Sequence, residues 1–220
     1  MRQAIIRQLG HREYQEVYRE MQVFNDTRQQ DTLDEIWYLE HDPVYTLGLA
    51  GREKHLLSTA DIPVIKTDRG GQVTYHGPGQ LVVYLMIDLR RKGTGVKEYV
   101  RLIEQSLIDY LETLDVFAKR LVGAPGVYVS GRKIAALGVR VRRGCAYHGL
   151  ALNVDMELSP FNGINPCGYE GMKVTQLCDE GCAVDVQTAF DGLLPFLSAN
   201  LGCVIHQPVI MQAQTIAYSL

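Results

Sequence analysis

The 220-residue sequence predicts a single α+β domain, and three observations carry the prediction. Strand-like segments cluster in the middle of the chain, with helix-like segments before, between and after them, unlike a regular βαβ array. No Pro-, Ser- or charge-rich linker, repeat or low-complexity tract divides the chain, so one domain over residues 1–220 is expected. Hydrophobic residues make up 46% and charged residues 21%. That is globular composition, and a chain this long buries roughly 70% of its unfolded surface.

The elements follow in order. A first helix is expected from about 12 to 27, where Tyr14, Val17, Tyr18, Met21 and Phe24 share a face. Residues 36–39 and 44–47 read as short strands split by the turn signal Asp42-Pro43. Residues 63–65 suggest another strand, running into a glycine-rich segment at Arg69, and 81–89 has the length of a buried strand. The clearest helix is 96–114, with Val96, Tyr99, Val100, Ile103, Leu107, Leu111 and Leu114 in one stripe. Residues 126–129, the turn Ser130-Gly131 and residues 133–142 form a hairpin pattern, which 147–154 continues. A last helix spans about 184–201, with Pro195 inside it, where it should kink or split the helix.

The charge balance, 22 Lys+Arg against 25 Asp+Glu, argues against a general nucleic-acid binder. The longest apolar run, 81–87, is far below the ~20 residues of a membrane span. The N-terminal stretch lacks the apolar core of a signal peptide, so a cytoplasmic location is expected. Five cysteines make a poor disulfide framework, and each reads as core filler, metal ligand or nucleophile. Cys178 and Cys182 have no second Cys/His pair at comparable spacing, which leaves them as incidental thiols rather than half a zinc site.

Three segments carry chemistry. The first, residues 69–80, packs four glycines and a proline into twelve positions, so its backbone can approach a ligand or make a tight hairpin. It is neither a Walker loop nor a dinucleotide fingerprint. His76 within it reads equally as a packed loop residue or a functional one. In the second, residues 131–138, Lys133 enters an apolar strand just after a turn, facing either water or a pocket. A lysine near a thiol matters, because a cation favours the thiolate. The third, residues 164–169, holds Cys167 between Pro166 and Gly168, which is turn chemistry and the poorest setting among the five for core filler.

Taken together, RGGQVTYHGPGQ, APGVY followed by GRKIAALG, YHGLALNV and INPCGYEG resemble the lipoyl(octanoyl) transferase family, in the family's order and over roughly residues 33–171. The resemblance implies a mixed β-sheet flanked by helices, similar to biotin protein ligase and lipoate–protein ligase catalytic domains. It implies transfer of an octanoyl group from octanoyl-acyl carrier protein to a lysine of lipoyl domains, in 2-oxoacid dehydrogenase complexes and the glycine cleavage H protein, with no cofactor. By it, Cys167 is the acyl-thioester nucleophile and Lys133 the lysine that lowers its pKa. Arg69, Gly70, Gly71, Gln72, Val73, Thr74, Tyr75 and His76 match the substrate-binding segment. Ala136, Leu137 and Gly138, with Gly149, Leu150 and Ala151, match stretches that border the acyl chain. An ATP-dependent ligase of the same fold and a non-catalytic acyl-binding module with Cys167 merely packed are the competing readings. Arg132, Arg140, Arg142 and Arg143 offer a docking patch for an acidic carrier, or a solvated face.

Overall fold

The computed structural model describes residues 2–169 and 171–206, apart from the side chains of residues 2, 92, 167, 205 and 206. In chain order the elements are β1 (Arg2–Arg12), α1 (Tyr14–Thr27), β2 (Asp34–His41), β3 (Val44–Leu47), β4 (Val64–Lys66), β5 (Val73–His76), β6 (Gln80–Asp88), α2 (Leu89–Lys92) and α3 (Val96–Glu112). Then come β7 (Ala118–Leu121), β8 (Ala124–Val129), β9 (Arg132–Arg142), β10 (Cys145–Asn153), α4 (Val186–Leu201) and β11 (Cys203–His206). Eight strands form one sheet in the order β11-β1-β2-β6-β10-β9-β8-β7, and β4-β3-β5 form a second. The large sheet is mixed: β1 runs parallel to β2 and β11, and the other pairs are antiparallel.

Side-chain alternation sorts the large sheet into two faces. On β6, Leu81, Val83, Leu85 and Ile87 pack with α3 and α4, while Val82, Tyr84 and Met86 pack with α1. Both faces are covered, so the central strand reads as an uninterrupted apolar run. Helix α1 begins where the Glu13 carboxylate accepts the N–H groups of Gln15 and Glu16, both at 2.9 Å. Asp185 caps α4 in the same way, accepting from the Thr188 N–H at 2.7 Å.

Several expectations need correction. Strand β1 and the short β7 were not anticipated: the sequence of β1, RQAIIRQLGHR, shows no regular alternation, and β7 is only four residues, AKRL. The strands around Asp42-Pro43 do not pair with each other; the turn carries the chain out of the large sheet into the small one. Pro195 does not split α4, which stays one helix with Phe190, Leu193, Leu197 and Leu201 buried along it. The hairpin at Ser130-Gly131 forms as expected: φ is 49° and 80° there, the two-residue turn whose twist matches its strands. Arg143-Gly144 repeats it between β9 and β10, with φ 52° and 78°.

Candidate active site

A cleft of about 720 Å³, its mouth included, opens between the α1-side face of β6, β9 and β10 and the glycine-rich segment. The space exists because β9 and β10 place small residues opposite each other: Ala136 pairs with Ala151, and Gly138 with Gly149. Neither glycine tolerates a side chain. A Cβ at Gly138 would stand 2.9 Å from the Gly70 carbonyl oxygen, and one at Gly149 only 2.1 Å from that of Val83. The glycine-rich segment is in turn stitched to β9, since the Gly70 N–H donates to the Val139 carbonyl at 3.0 Å.

Lys133 lies at one end of this cleft, and it is 4% exposed. The pairing of β8 with β9 slips by one residue after Tyr128–Lys133, so that Val127 faces Ala135. This bulge sends both Ile134 and Ala135 into the α3/α4 core and leaves Lys133 and Ala136 on the cleft side. The solvated strand end is therefore excluded for Lys133. Its backbone is clasped by the segment after the Cys167 turn: Lys133 N–H donates to Lys173 O, and Thr175 N–H to Lys133 O, both at 2.9 Å.

Cys167 sits in a single 3-10 turn, Pro166–Gly168, and its side chain lies outside the described residues. The turn is held by Gly168 N–H to Asn165 O (2.9 Å) and by Asn165 N–H to His55 O (2.9 Å), and Pro166 borders the cleft. The other thiols, Cys145, Cys178, Cys182 and Cys203, do not line it. Burial pushes the Cys145 and Cys182 thiols up, and the neighbouring Asp155 carboxylate does the same to Cys178. Among the described residues, no group of three or more His, Cys, Asp or Glu side chains is arranged to hold a metal ion.

Of the glycine-rich segment, Arg69, Gly71, Gln72, Val73, Thr74 and His76 line the cleft; Leu137 and Leu150 join them from the strands. Gly70 and Tyr75 do not, and Tyr75 instead packs in a separate core with Tyr45, Met156 and Phe161. The Arg69 guanidinium is buried, donating to the carbonyls of Thr46 (2.6 Å), Gln72 (2.8 Å) and Gly70 (2.9 Å). His76 is on β5, not in a loop. Burial lowers its pKa to about 3, so it is neutral. Its Nδ1–H then donates to Gln80 Oε1 (2.7 Å), and Nε2 faces Thr46 Oγ1 (3.3 Å). Gln80 donates to Asn153 Oδ1 (2.9 Å), and Asn153 to Thr175 O (2.9 Å), which links the glycine-rich segment to the clasp on Lys133.

The other wall comes from α1, β6 and β10, and of its residues the sequence pointed only to His148, as a second candidate beside His76. Tyr14, Tyr84 and His148 all border the cleft. Burial lowers the pKa of His41 to about 4, and its Nε2 accepts from the Tyr84 hydroxyl at 2.8 Å. His148 has a left-handed φ of 60°, which turns it to the same side as its neighbour Tyr147. Both then reach Asp68, His148 Nε2 at 2.9 Å and the Tyr147 hydroxyl as donor to the other carboxylate oxygen. Burial opposes the ionisation of Asp68, but these bonds outweigh it and hold the carboxyl well below the usual range. A strained non-glycine residue that aims a titratable group is a functional-site signature, and alternation alone hides it. The one available signal was Asp68 standing directly before Arg69.

The sequence model of the lipoyl protein ligase A/B catalytic domain family matches residues 14–196. An octanoyltransferase of Chromobacterium violaceum is 55% identical over 197 residues, covering 90% of this chain and 95% of its own. The chain belongs to the octanoyltransferase family. Its fold is also that of a lipoate protein ligase from Thermoplasma acidophilum (TM-score 0.74, 13% identity, 96% of this chain and 88% of the other). More distantly it matches biotin protein ligase from Aquifex aeolicus (TM-score 0.55, 13% identity, 92% and 70%). As an octanoyltransferase-family chain it is an acyltransferase. Among the described residues, no helix is long and apolar enough to cross a membrane.

Proposed function

We propose that this acyltransferase moves an octanoyl group from octanoyl-acyl carrier protein to a specific lysine of lipoyl domains through a thioester on Cys167, the first step of endogenous protein lipoylation, in the cytoplasm. The acceptors are the lipoyl domains of 2-oxoacid dehydrogenase complexes and the glycine cleavage H protein. The observation that carries this reading is a buried lysine, Lys133, in the wall of an apolar cleft and clasped by the chain just beyond the Cys167 turn.

The chemistry runs in two steps. The Lys133 ammonium stabilises the Cys167 thiolate, whose proton has gone to solvent; the thiolate attacks the thioester carbonyl, and the carrier's thiolate leaves and takes up a proton from solvent. The lipoyl lysine, as free amine, then attacks the acyl-cysteine, loses a proton to solvent and expels the Cys167 thiolate, leaving an amide. Thioester exchange is nearly thermoneutral and aminolysis runs downhill, so the sequence needs no nucleotide. Two steps also free the large donor and acceptor from binding together. The octanoyl chain lies in the cleft against the paired strands β9 and β10, over Ala136, Leu137 and Gly138 on one and Gly149, Leu150 and Ala151 on the other. At ~0.8 kcal/mol per buried CH₂, the seven alkyl carbons contribute about 6 kcal/mol of gross transfer free energy. The substrate-binding role of residues 69–76 rests on the six that line the cleft.

Intact mass after mixing with octanoyl-carrier protein tests this. One octanoyl adduct is expected on the wild type, none on Cys167→Ala, and the adduct should move to an added lipoyl domain without ATP. Acylation of Cys145, Cys178, Cys182 or Cys203 in place of Cys167 overturns the assignment, and transfer that requires ATP and free acid makes the chain a ligase.

A further inference from the structure

The surroundings of Lys133 bear on how it acts. Its Nζ donates to the Pro125 carbonyl at 3.1 Å and lies 5.1 Å from the centroid of the Tyr128 ring. A cation within ~6 Å of an aromatic face is attracted by the ring quadrupole, more strongly where water is excluded. Tyr128 is fully buried, and its hydroxyl donates to Ala124 O at 3.1 Å, which fixes the ring. Gly126 leaves room for the lysine, since a Cβ there would stand 3.0 Å from Lys133 Cε. From α3, the Glu104 carboxylate accepts the Gly126 N–H at 3.0 Å and pairs with Arg120 at 3.0 Å, so a carboxylate faces this corner too.

We propose that Tyr128 is a positioning residue that keeps Lys133 a cation aimed by its ring, so that Lys133 activates the nucleophile by charge and not as a general base. An amine that served as base would give up both the cation–π attraction and the charge-assisted bond to Pro125 whenever it was unprotonated. This inference rests on Cys167 and Lys133 being the reacting pair.

The test replaces Tyr128 with phenylalanine and then with mono-, di- and trifluorinated phenylalanines, which keep the ring's shape while draining its negative face. Alkylation of Cys167 by iodoacetamide at pH 7 should stay within about twofold of wild type for Tyr128→Phe and fall stepwise, about fivefold by the trifluorinated ring. Labelling of Lys133 by an amine-reactive ester should rise over the same series. A loosened site would move both reagents together, so opposed trends mark the electrostatic role. Tyr128→Leu, if folded, should resemble the trifluorinated variant. A flat fluorination series, or two reagents that change in the same direction, overturns the inference. Octanoyl transfer is measured alongside. If wild-type Cys167 takes no octanoyl group, the reading of the reaction fails; if it does and the series is flat, only the role of Tyr128 fails.

Discussion

The two faces of the large sheet come from the same strands and differ in kind. Toward α3 and α4, Leu81, Val83, Leu85 and Ile87 meet Leu107, Leu111, Leu193 and Leu197, a closely packed aliphatic core. Toward α1 and the small sheet, the same strands meet buried histidines, tyrosines, Arg69, Gln80 and Asn153, and the packing stops short to leave the cleft. One face stabilises through area removed from water, and the other adds buried polar bonds such as His76–Gln80 and His41–Tyr84, so they should fail under different insults.

The largest expected effect is chemical. Lys133→Ala should lower kcat for octanoyl transfer by a hundredfold or more, about 3 kcal/mol of transition-state stabilisation, with a folded far-UV spectrum. Lys133→Arg keeps the charge and should retain rapid Cys167 alkylation and measurable transfer; rapid alkylation without transfer would show that a proton must move at Lys133. On the opposite face, Leu107→Ala should cost about 2–5 kcal/mol in urea denaturation while octanoyl transfer per folded molecule stays near wild type. A comparable loss of kcat there would mean that the two faces are coupled.

Acid separates the faces more finely. Burial depresses the folded-state pKa of His41 and His76 from 6.5 to about 4 and about 3. Their contribution is therefore complete above pH 6.5 and lost as pH falls toward those values, because the unfolded chain takes up the protons first. Each should lower stability by about 2 kcal/mol between pH 7 and pH 5, read from urea midpoints at the two pH values. Removing one histidine, as in His76→Asn, should make the slope shallower; an unchanged slope would place the acid sensitivity elsewhere. The smallest effect belongs to the rim. Arg142 pairs with Asp26 at 2.9 Å and Arg132 with Glu180 at 2.9 Å, so Arg142→Ala should change stability by less than about 0.5 kcal/mol. If the arginine cluster docks the carrier, kcat/KM for octanoyl-carrier protein should fall with salt while a small octanoyl thioester does not respond. Equal salt responses would leave the cluster a solvated face.

Much of this was legible along the chain. The 3.6-residue stripe of α3, the apolar run of β6, the two-residue turn at Ser130-Gly131 and the turn around Cys167 are all local patterns, and the structure contains each of them. Lys133 was legible as a candidate but not as a cleft residue, since its orientation depends on a bulge against β8. His148 was legible only as a second candidate beside His76, and Asp68 and His41 were not legible: Asp68 and His148 stand 80 positions apart, and simple alternation puts His148 on the wrong side of its strand.

By itself, then, the sequence determined the helices, the turns, the central buried strand and the ordered motifs of the octanoyltransferase family, because each depends on spacing within a few residues. Only the tertiary structure decided which side of β9 Lys133 occupies, that the chain beyond Cys167 clasps it, and that Tyr75 leaves the cleft while His148 enters it. Those outcomes depend on register, bulges and a left-handed residue, and a shift of one position in any of them carries a side chain to the other face of the sheet.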